Sequence, residues 1–427
     1  MTNNEYYYIP AFLLLIILVH IIVGRLINRF TSPINFWNVG WMVLFLFALI
    51  FGSPYYYSIY ALTLMTLGCI SFSMGGIVSN LIVLKKNNPL DRSDFLSHIR
   101  DKSIFIQVIA VIIGSAGAID LSNSFGTSLL DFSSIEQISS DASGNVAQLY
   151  SGEMLLTPLA NFSFSALQLG FLFNGVFIAI NGLKNKISIS CFCLLFLTSL
   201  LWTSVTTTRS YFVVSMVWWL AAYYATKIAI NEEKQLFNAK TIIRASFSIT
   251  AVVILIIFVQ SMRLGNLSFQ QIDETLQHMR PWVAGYIPGF SVWVEEDWSG
   301  DFMYGVNFIR PIAKIFGITL DESDAGSVIP VDIGNMQQSN ALTIYRVLFY
   351  DFGFFGSLVF TFLLGFCSQL SYRLCKAGSY IGWALLISCT TMIIWAPNFW
   401  FYNYGSRILV LILIILIAYN IQKRFRS

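Results

Sequence analysis

Charge is what this sequence lacks most. The chain has 427 residues but only 25 Lys+Arg and 22 Asp+Glu, or 11%, where soluble domains carry about 25%. So little charge cannot keep a surface of this size in water, which excludes an ordinary soluble enzyme and a disordered chain. The net charge of +3 is too small for a polyanion-binding face, so nucleic acid is not a partner. Histidine is scarce as well, with three copies and no cluster. With no His-Glu-x-x-His and no Asp-x-Asp motif, neither a metal site nor a cofactor is expected. No glycine-rich phosphate loop precedes a lysine, which argues against a nucleotide-driven pump. The six cysteines (Cys69, Cys191, Cys193, Cys367, Cys375 and Cys389) fall in apolar runs or a short loop. They read as small hydrophobes, not as a disulfide framework. Internal repeats and heptads are absent too, which counts against an inverted-repeat transporter.

What is present is apolar sequence: 56% of residues are hydrophobic and the mean hydropathy is +0.69. A membrane helix needs about 20 apolar residues. Eleven runs approach or reach that length, at 6–24, 36–52, 56–84, 103–121, 154–180, 187–205, 210–226, 245–261, 341–370, 379–396 and 406–421. They are continuous and do not alternate, so helices are expected and a β-barrel is not. The expected fold is an all-α polytopic membrane protein, a single transmembrane domain over 1–427. The first run has Glu5 ahead of it and no basic residue, so it is expected to stay as an anchor.

Basic residues set the expected orientation. Arg25 and Arg29 follow the first run, and Lys85, Lys86, Arg92, Arg100 and Lys102 follow the third. The same alternate loops hold Lys184, Lys186, Lys227, Lys234, Lys240, Arg244, Arg373 and Lys376, and the chain ends on Lys423, Arg424 and Arg426. With an odd number of spans, the N-terminus is expected outside and the C-terminus in the cytoplasm. Residues 122–153, expected outside, hold no Lys or Arg. Of the 25 basic residues, all but seven lie on the inner side. The seven are Arg209, Arg263, Arg280, Arg310, Lys314, Arg346 and Arg407. They stand on the disfavoured side, and all but Lys314 are arginines.

Residues 262–340 form the one large extracytoplasmic loop, too long to be a simple connector. It carries Trp282, Trp293 and Trp298, the acidic group Glu295, Glu296, Asp297 and Asp301, and a second group at Asp321, Glu322 and Asp324. His278 is the only histidine expected outside. The apolar stretch 302–319 reads as short helix lying on the membrane surface.

Arginine near membrane depth costs about 2.5–3.5 kcal/mol on insertion scales, so it needs a partner or a cavity. Arg209, Arg263, Arg346 and Arg407 all fall at the outer ends of spans. Guanidinium forks match phosphate oxygens in pairs, so an anion at headgroup level suits them. Snorkelling to the interface, or pairing with Asp351, is the plain alternative for each. On the ninth run, Asn340, Thr343, Arg346 and Tyr350 recur every three or four residues, a polar stripe suited to lining a cavity. Gly353 and Gly356 read as helix-packing glycines. Ahead of the last run, Pro397-Asn398-Phe399-Trp400-Phe401-Tyr402-Asn403-Tyr404 suits either an interfacial aromatic belt or a groove for sugar faces.

Two segments carry a family resemblance. Thr208-Arg209-Ser210, opening a span, is similar to a recurrent element of the O-antigen polymerase (Wzy-type) family. Ser339-Asn340-Ala341-Leu342-Thr343, followed by Asp351-Phe352-Gly353-Phe354-Phe355-Gly356, resembles the loop-to-helix junction of the wider polymerase and ligase superfamily. The ligase branch places His before that Asn and Glu at the acidic position. Ser339 and Asp351 stand there instead, which favours polymerase.

The resemblance implies a GT-C-like glycosyltransferase at the outer face of the bacterial inner membrane, working in lipopolysaccharide or other surface polysaccharide biosynthesis. Its substrates would be undecaprenyl-pyrophosphate-linked oligosaccharides, and a chain-length regulator would be a further partner. In that reading Arg209, Arg263 and Arg346 hold the pyrophosphate, with Arg280 and Arg310 reaching it or the sugars from the loop. Arg407, Asn340, Thr343, Tyr350, Asn398, Tyr402 and Asn403 are substrate-binding candidates. Asp351, His278 and Glu295 are alternatives for the base. An O-antigen ligase, a lipid-linked oligosaccharide flippase or other transporter, and a scaffold without catalysis are the rival classes.

Overall fold

The computed structural model describes residues 5–27, 30–84, 92–125, 157–182, 185–206, 210–237, 254, 279–298, 302–316, 318, 330–340 and 343–426. Helix dominates. After a short turn at Tyr6–Tyr8 come α1 (Ile9–Ile27), α2 (Pro33–Phe51), α3 (Ile59–Asn80) and α4 (Arg92–Ser124). Then follow α5 (Pro158–Asn181), α6 (Lys186–Thr206) and α7 (Ser210–Ala229). Short α8 (Tyr286–Val292) runs into a π-turn at Trp293–Asp297, ahead of α9 (Val306–Ile315). A hairpin of β1 (Val331–Gly334) and β2 (Gln337–Ser339) precedes α10 (Thr343–Lys376), α11 (Tyr380–Trp395) and α12 (Gly405–Arg426).

Among the described residues, nine helices are long and apolar enough to cross a membrane, and α11 is a shorter apolar helix of 16 residues. The chain is therefore an all-α polytopic membrane protein. The expected eighth run, 245–261, lies almost wholly outside the described residues. Local signals set the helix starts. Ser32, Ser58 and Thr157 cap α2, α3 and α5 with their hydroxyls, and Pro33 and Pro158 occupy the first turn, where a missing N–H costs nothing. The hairpin, in the segment expected as one large loop, was not expected from the sequence. Its turn holds Asn335 and Met336 in the left-handed region (φ 56° and 57°), flanked by Gly334 at φ 99°.

The chain divides into two compact units. The first comprises residues 1–86, 277–375 and 381–408. Its centre is the crossing of α3 and α10. A Cβ on Gly75 would stand 1.9 Å from the Phe362 carbonyl oxygen, and one on Gly365 would stand 2.0 Å from that of Phe72. Only glycine allows backbones this close. Ser71 Oγ donates to the Leu358 carbonyl at 2.6 Å and Gln369 Nε2 to Asn80 Oδ1 at 3.2 Å, pinning the register of the two helices. Beside them Trp37 stacks on Phe72 at 4.4 Å, and Trp41 packs on Tyr345 at 5.1 Å.

The second unit comprises 87–276, 376–380 and 409–427. Here α5 is the central helix, packed against α4, α6 and α7. A buried polar chain joins all four helices. Gln107 Oε1 accepts from Asn174 Nδ2 at 2.7 Å, the same amide nitrogen reaches the Ser188 carbonyl at 3.2 Å, and Trp219 Nε1 donates to Asn174 Oδ1 at 3.0 Å. At one end Lys227 pairs with Glu232 at 2.7 Å, and Lys376 pairs with Glu233.

Candidate functional site

The site in the first unit is organised by a break in α10. Gly353 has φ 68° and ψ −169°, a conformation open to glycine and not to residues with a side chain. The helical ladder is interrupted there, which frees carbonyls of the preceding turn. The Tyr350 carbonyl accepts instead from Met303 N–H at 3.0 Å. Phe302 fills the space a side chain would need, with its ring edge 2.9 Å from where a Gly353 Cβ would be. Gly353 therefore breaks the helix and seats the segment at Phe302 and Met303, a different role from the helix packing expected. Gly356 likewise meets Phe352 of its own helix and not a neighbouring one.

The same break places Asp351 against α9. Asn307 Nδ2 donates to Asp351 Oδ1 at 2.7 Å, and Arg310, one turn on from Asn307, lies within electrostatic range of the carboxyl. Asp351 is 1% exposed, and its Oδ2 has no hydrogen-bond partner among the described residues. Asn307 was not singled out from the sequence. The signal was available, because Asn307, Arg310 and Lys314 recur on one face of a helix whose other residues are apolar.

Arg346 is buried, with its guanidinium 5.1 Å from the Trp293 ring centre. Trp293 also meets Tyr350 at 6.0 Å and Phe349 at 6.3 Å, and Trp298 meets Phe349 at 4.7 Å. The loop tryptophans are thus built into the first turns of α10. Glu295 and Glu296 are exposed in the π-turn between Trp293 and Trp298. Thr343 opens α10 at φ 64° and is buried, its Oγ1 accepting from Tyr345 N–H at 3.2 Å. Asn340 is not part of this helical face, in contrast to the expected stripe: it is exposed and follows β2 outside the helix.

The loop ahead of α12 is occupied with itself. The Arg407 guanidinium lies 4.6 Å from the Tyr404 ring centre, 5.0 Å from Phe401 and 5.3 Å from Trp395. Its Nη1 donates to the Phe401 carbonyl at 2.7 Å and to Asn403 Oδ1 at 3.1 Å. The Tyr402 hydroxyl bonds Ser388 at 2.6 Å and Thr391 at 3.2 Å, and burial pushes its pKa above the usual phenol range. Arg407, Tyr402 and Asn403 hold this loop to α11, a structural task. Asn398 is half-buried, and its backbone N–H donates to the Trp395 carbonyl. Arg280 is likewise engaged locally, with Nε donating to the Phe51 carbonyl at 2.9 Å beside the Tyr55 ring.

Of the expected site residues, the structure brings Arg346 and Tyr350 to Trp293, while Asp351 meets Asn307 with Arg310 one turn further along the same helix. Arg346 and Arg407 sit against different sets of rings. Arg209, Arg263 and His278 lie outside the described residues. The first part of α10 thus carries two buried groups, a carboxyl bonded to an amide at Asp351 and Asn307, and a guanidinium over a tryptophan at Arg346 and Trp293. No family model, curated protein or solved structure matches the chain.

Proposed function

We propose that this protein polymerises undecaprenyl-pyrophosphate-linked oligosaccharide repeat units at the outer face of a bacterial inner membrane. The observation that carries the reading is the buried hydrogen bond from Asn307 to Asp351, five residues along α10 from the buried Arg346 and its tryptophan. The two stretches that resemble the polymerase and ligase junction, 339–343 and 351–356, include Asp351 and flank Arg346. The N-terminus and the loop face the periplasm and the C-terminus the cytoplasm, following the distribution of Lys and Arg.

In the transfer, an acceptor hydroxyl of one lipid-linked unit attacks the anomeric carbon of the donor glycan. The carbon–oxygen bond to the pyrophosphate breaks as the new glycosidic bond forms. The hydroxyl proton passes to a base, for which Asp351 is the described candidate, and lipid pyrophosphate leaves with both bonding electrons. Arg346 and Arg310 stabilise the negative charge growing on the leaving group, often the largest catalytic contribution. Arg209 and Arg263 are further proposed contacts. The reaction needs neither nucleotide nor metal.

The test is direct. Purified protein in nanodiscs is incubated with undecaprenyl-pyrophosphate repeat units and EDTA, without nucleotide, and glycan length is read on a gel. A ladder of multiples is expected. Intact protein and substrate with no ladder would overturn the reading; lipid A core as acceptor, or a translocation assay, then tests the ligase and flippase alternatives.

A further inference from the structure

Helix α9 is amphipathic the wrong way round for a loop in water. Asn307 and Arg310 are buried against the protein at 7% and 9% exposure, while Ile309, Ile312 and Phe316 stand 55%, 46% and 75% exposed. Positions 309, 312 and 316 fall on one helical edge, roughly opposite the edge of 307 and 310. A water-facing helix reverses this pattern.

Its position along α10 explains the inversion. Phe308 packs on Phe352 at 5.5 Å and on Phe360 at 4.9 Å, two turns further along. With 34 residues, α10 rises about 51 Å, well beyond the ~30 Å hydrocarbon thickness. Its far end carries Arg373 and Lys376, which bind carbonyls of the α3 end and Glu233 and mark an aqueous boundary. About 20 residues counted back from Tyr372 reach Gly353, so Phe360 lies about 10 Å inside the opposite boundary. From that boundary inward, α10 exposes Phe355, Val359 and Leu363 at i+4 spacing, a face that only lipid suits.

We infer that α9 is sunk into one leaflet of the bilayer, with Ile309, Ile312 and Phe316 against acyl chains and Asn307 and Arg310 turned to Asp351. Continuity with the Phe355–Leu363 face of α10 is what assigns the exposed edge to hydrocarbon. The large loop is then no purely aqueous cap. One of its helices forms part of the membrane-embedded wall around a carboxyl that water reaches poorly. None of this rests on the glycan reading, since it concerns only where the helix lies.

The experiment uses full-length protein in phosphatidylcholine liposomes, with exposed Cys193 and Cys367 changed to Ala. Spin labels are placed by Ile309→Cys, Ile312→Cys and Phe316→Cys, and by Met336→Cys at the fully exposed hairpin turn. Oxygen-to-nickel-complex accessibility ratios several-fold above that of position 336 are expected at all three α9 positions. Ratios equal to that of position 336 would overturn the inference. Dipolar broadening that reports a second copy of the chain on this edge would overturn it too. Because labelling could disturb folding, unmodified protein is also irradiated with a phospholipid bearing a photoreactive group in its acyl chain. Adducts are expected in peptides covering both 355–363 and 302–316. Adducts on 355–363 alone would overturn the inference.

Discussion

Replacing Gly353 by Ala tests how the loop is seated on α10. Two costs arise at once. The backbone at φ 68° and ψ −169° is one that an L-residue occupies at about 1–3 kcal/mol. The new methyl would also stand 2.9 Å from the Phe302 ring, and overpacking of this kind costs about 1–3 kcal/mol. The chain can escape both by closing the helix. Phe354 N–H would then take the Tyr350 carbonyl from Met303, and the loop would lose its backbone anchor. Either way Gly353→Ala destabilises the seated loop by about 2–6 kcal/mol in sum. The measurement is an SDS titration in mixed micelles, followed by the glycan ladder. Phe302→Ala added to Gly353→Ala removes the clash but not the backbone cost. The double variant should therefore recover only part of the stability, and the cycle separates the two contributions. Full recovery would refute the argument from φ. No loss in the single variant would refute the break itself.

Arg407→Ala and Arg346→Ala should separate structure from function. Arg407 touches three rings and two oxygens, so its loss should lower the unfolding free energy by at least about 2 kcal/mol. Arg346→Ala should shorten or abolish the ladder at normal protein level, and Arg346→Lys should fail too if the contact is bidentate. Asn307→Leu leaves Asp351 without its 2.7 Å donor. It should cost about 1–3 kcal/mol in the same titration, because a buried acceptor loses its partner. Asp351→Asn keeps the volume and removes the proposed base, so polymer should be lost while the midpoint stays near that of the parent. Gly365→Leu would drive a side chain into the Phe72 carbonyl and should sharply reduce the yield of folded protein.

The polytopic helical character was legible because lipid imposes one simple demand, long apolar runs, and composition records it directly. Helix within 302–319 was legible for the same reason. Which edge of it faces the protein was not, because exposure depends on what packs there. The surroundings of Arg407 were hidden on similar grounds. Sequence gives its position at a span end but not the rings that close around it. The Asn307–Asp351 contact joins residues 44 apart, a pairing that local periodicity does not record. Gly353 is the sharpest case. A glycine in an apolar helix suits close packing as well as a break, and only the backbone angles decide.

The polar chain through α5 bears on how the protein is made. Asn174 would be a poor residue to leave in hydrocarbon alone. Its partner Gln107 lies on α4, which leaves the ribosome first, and Ser103 of the same helix donates to the Phe173 carbonyl beside it. Synthesis therefore delivers α5 to an acceptor already waiting, while Ser188 and Trp219 arrive later to complete the chain. The α4–α5 pair should enter the bilayer as one insertion unit. A nascent chain ending after α5 should integrate less often when Gln107 is replaced by Leu, although that replacement makes α4 itself more apolar.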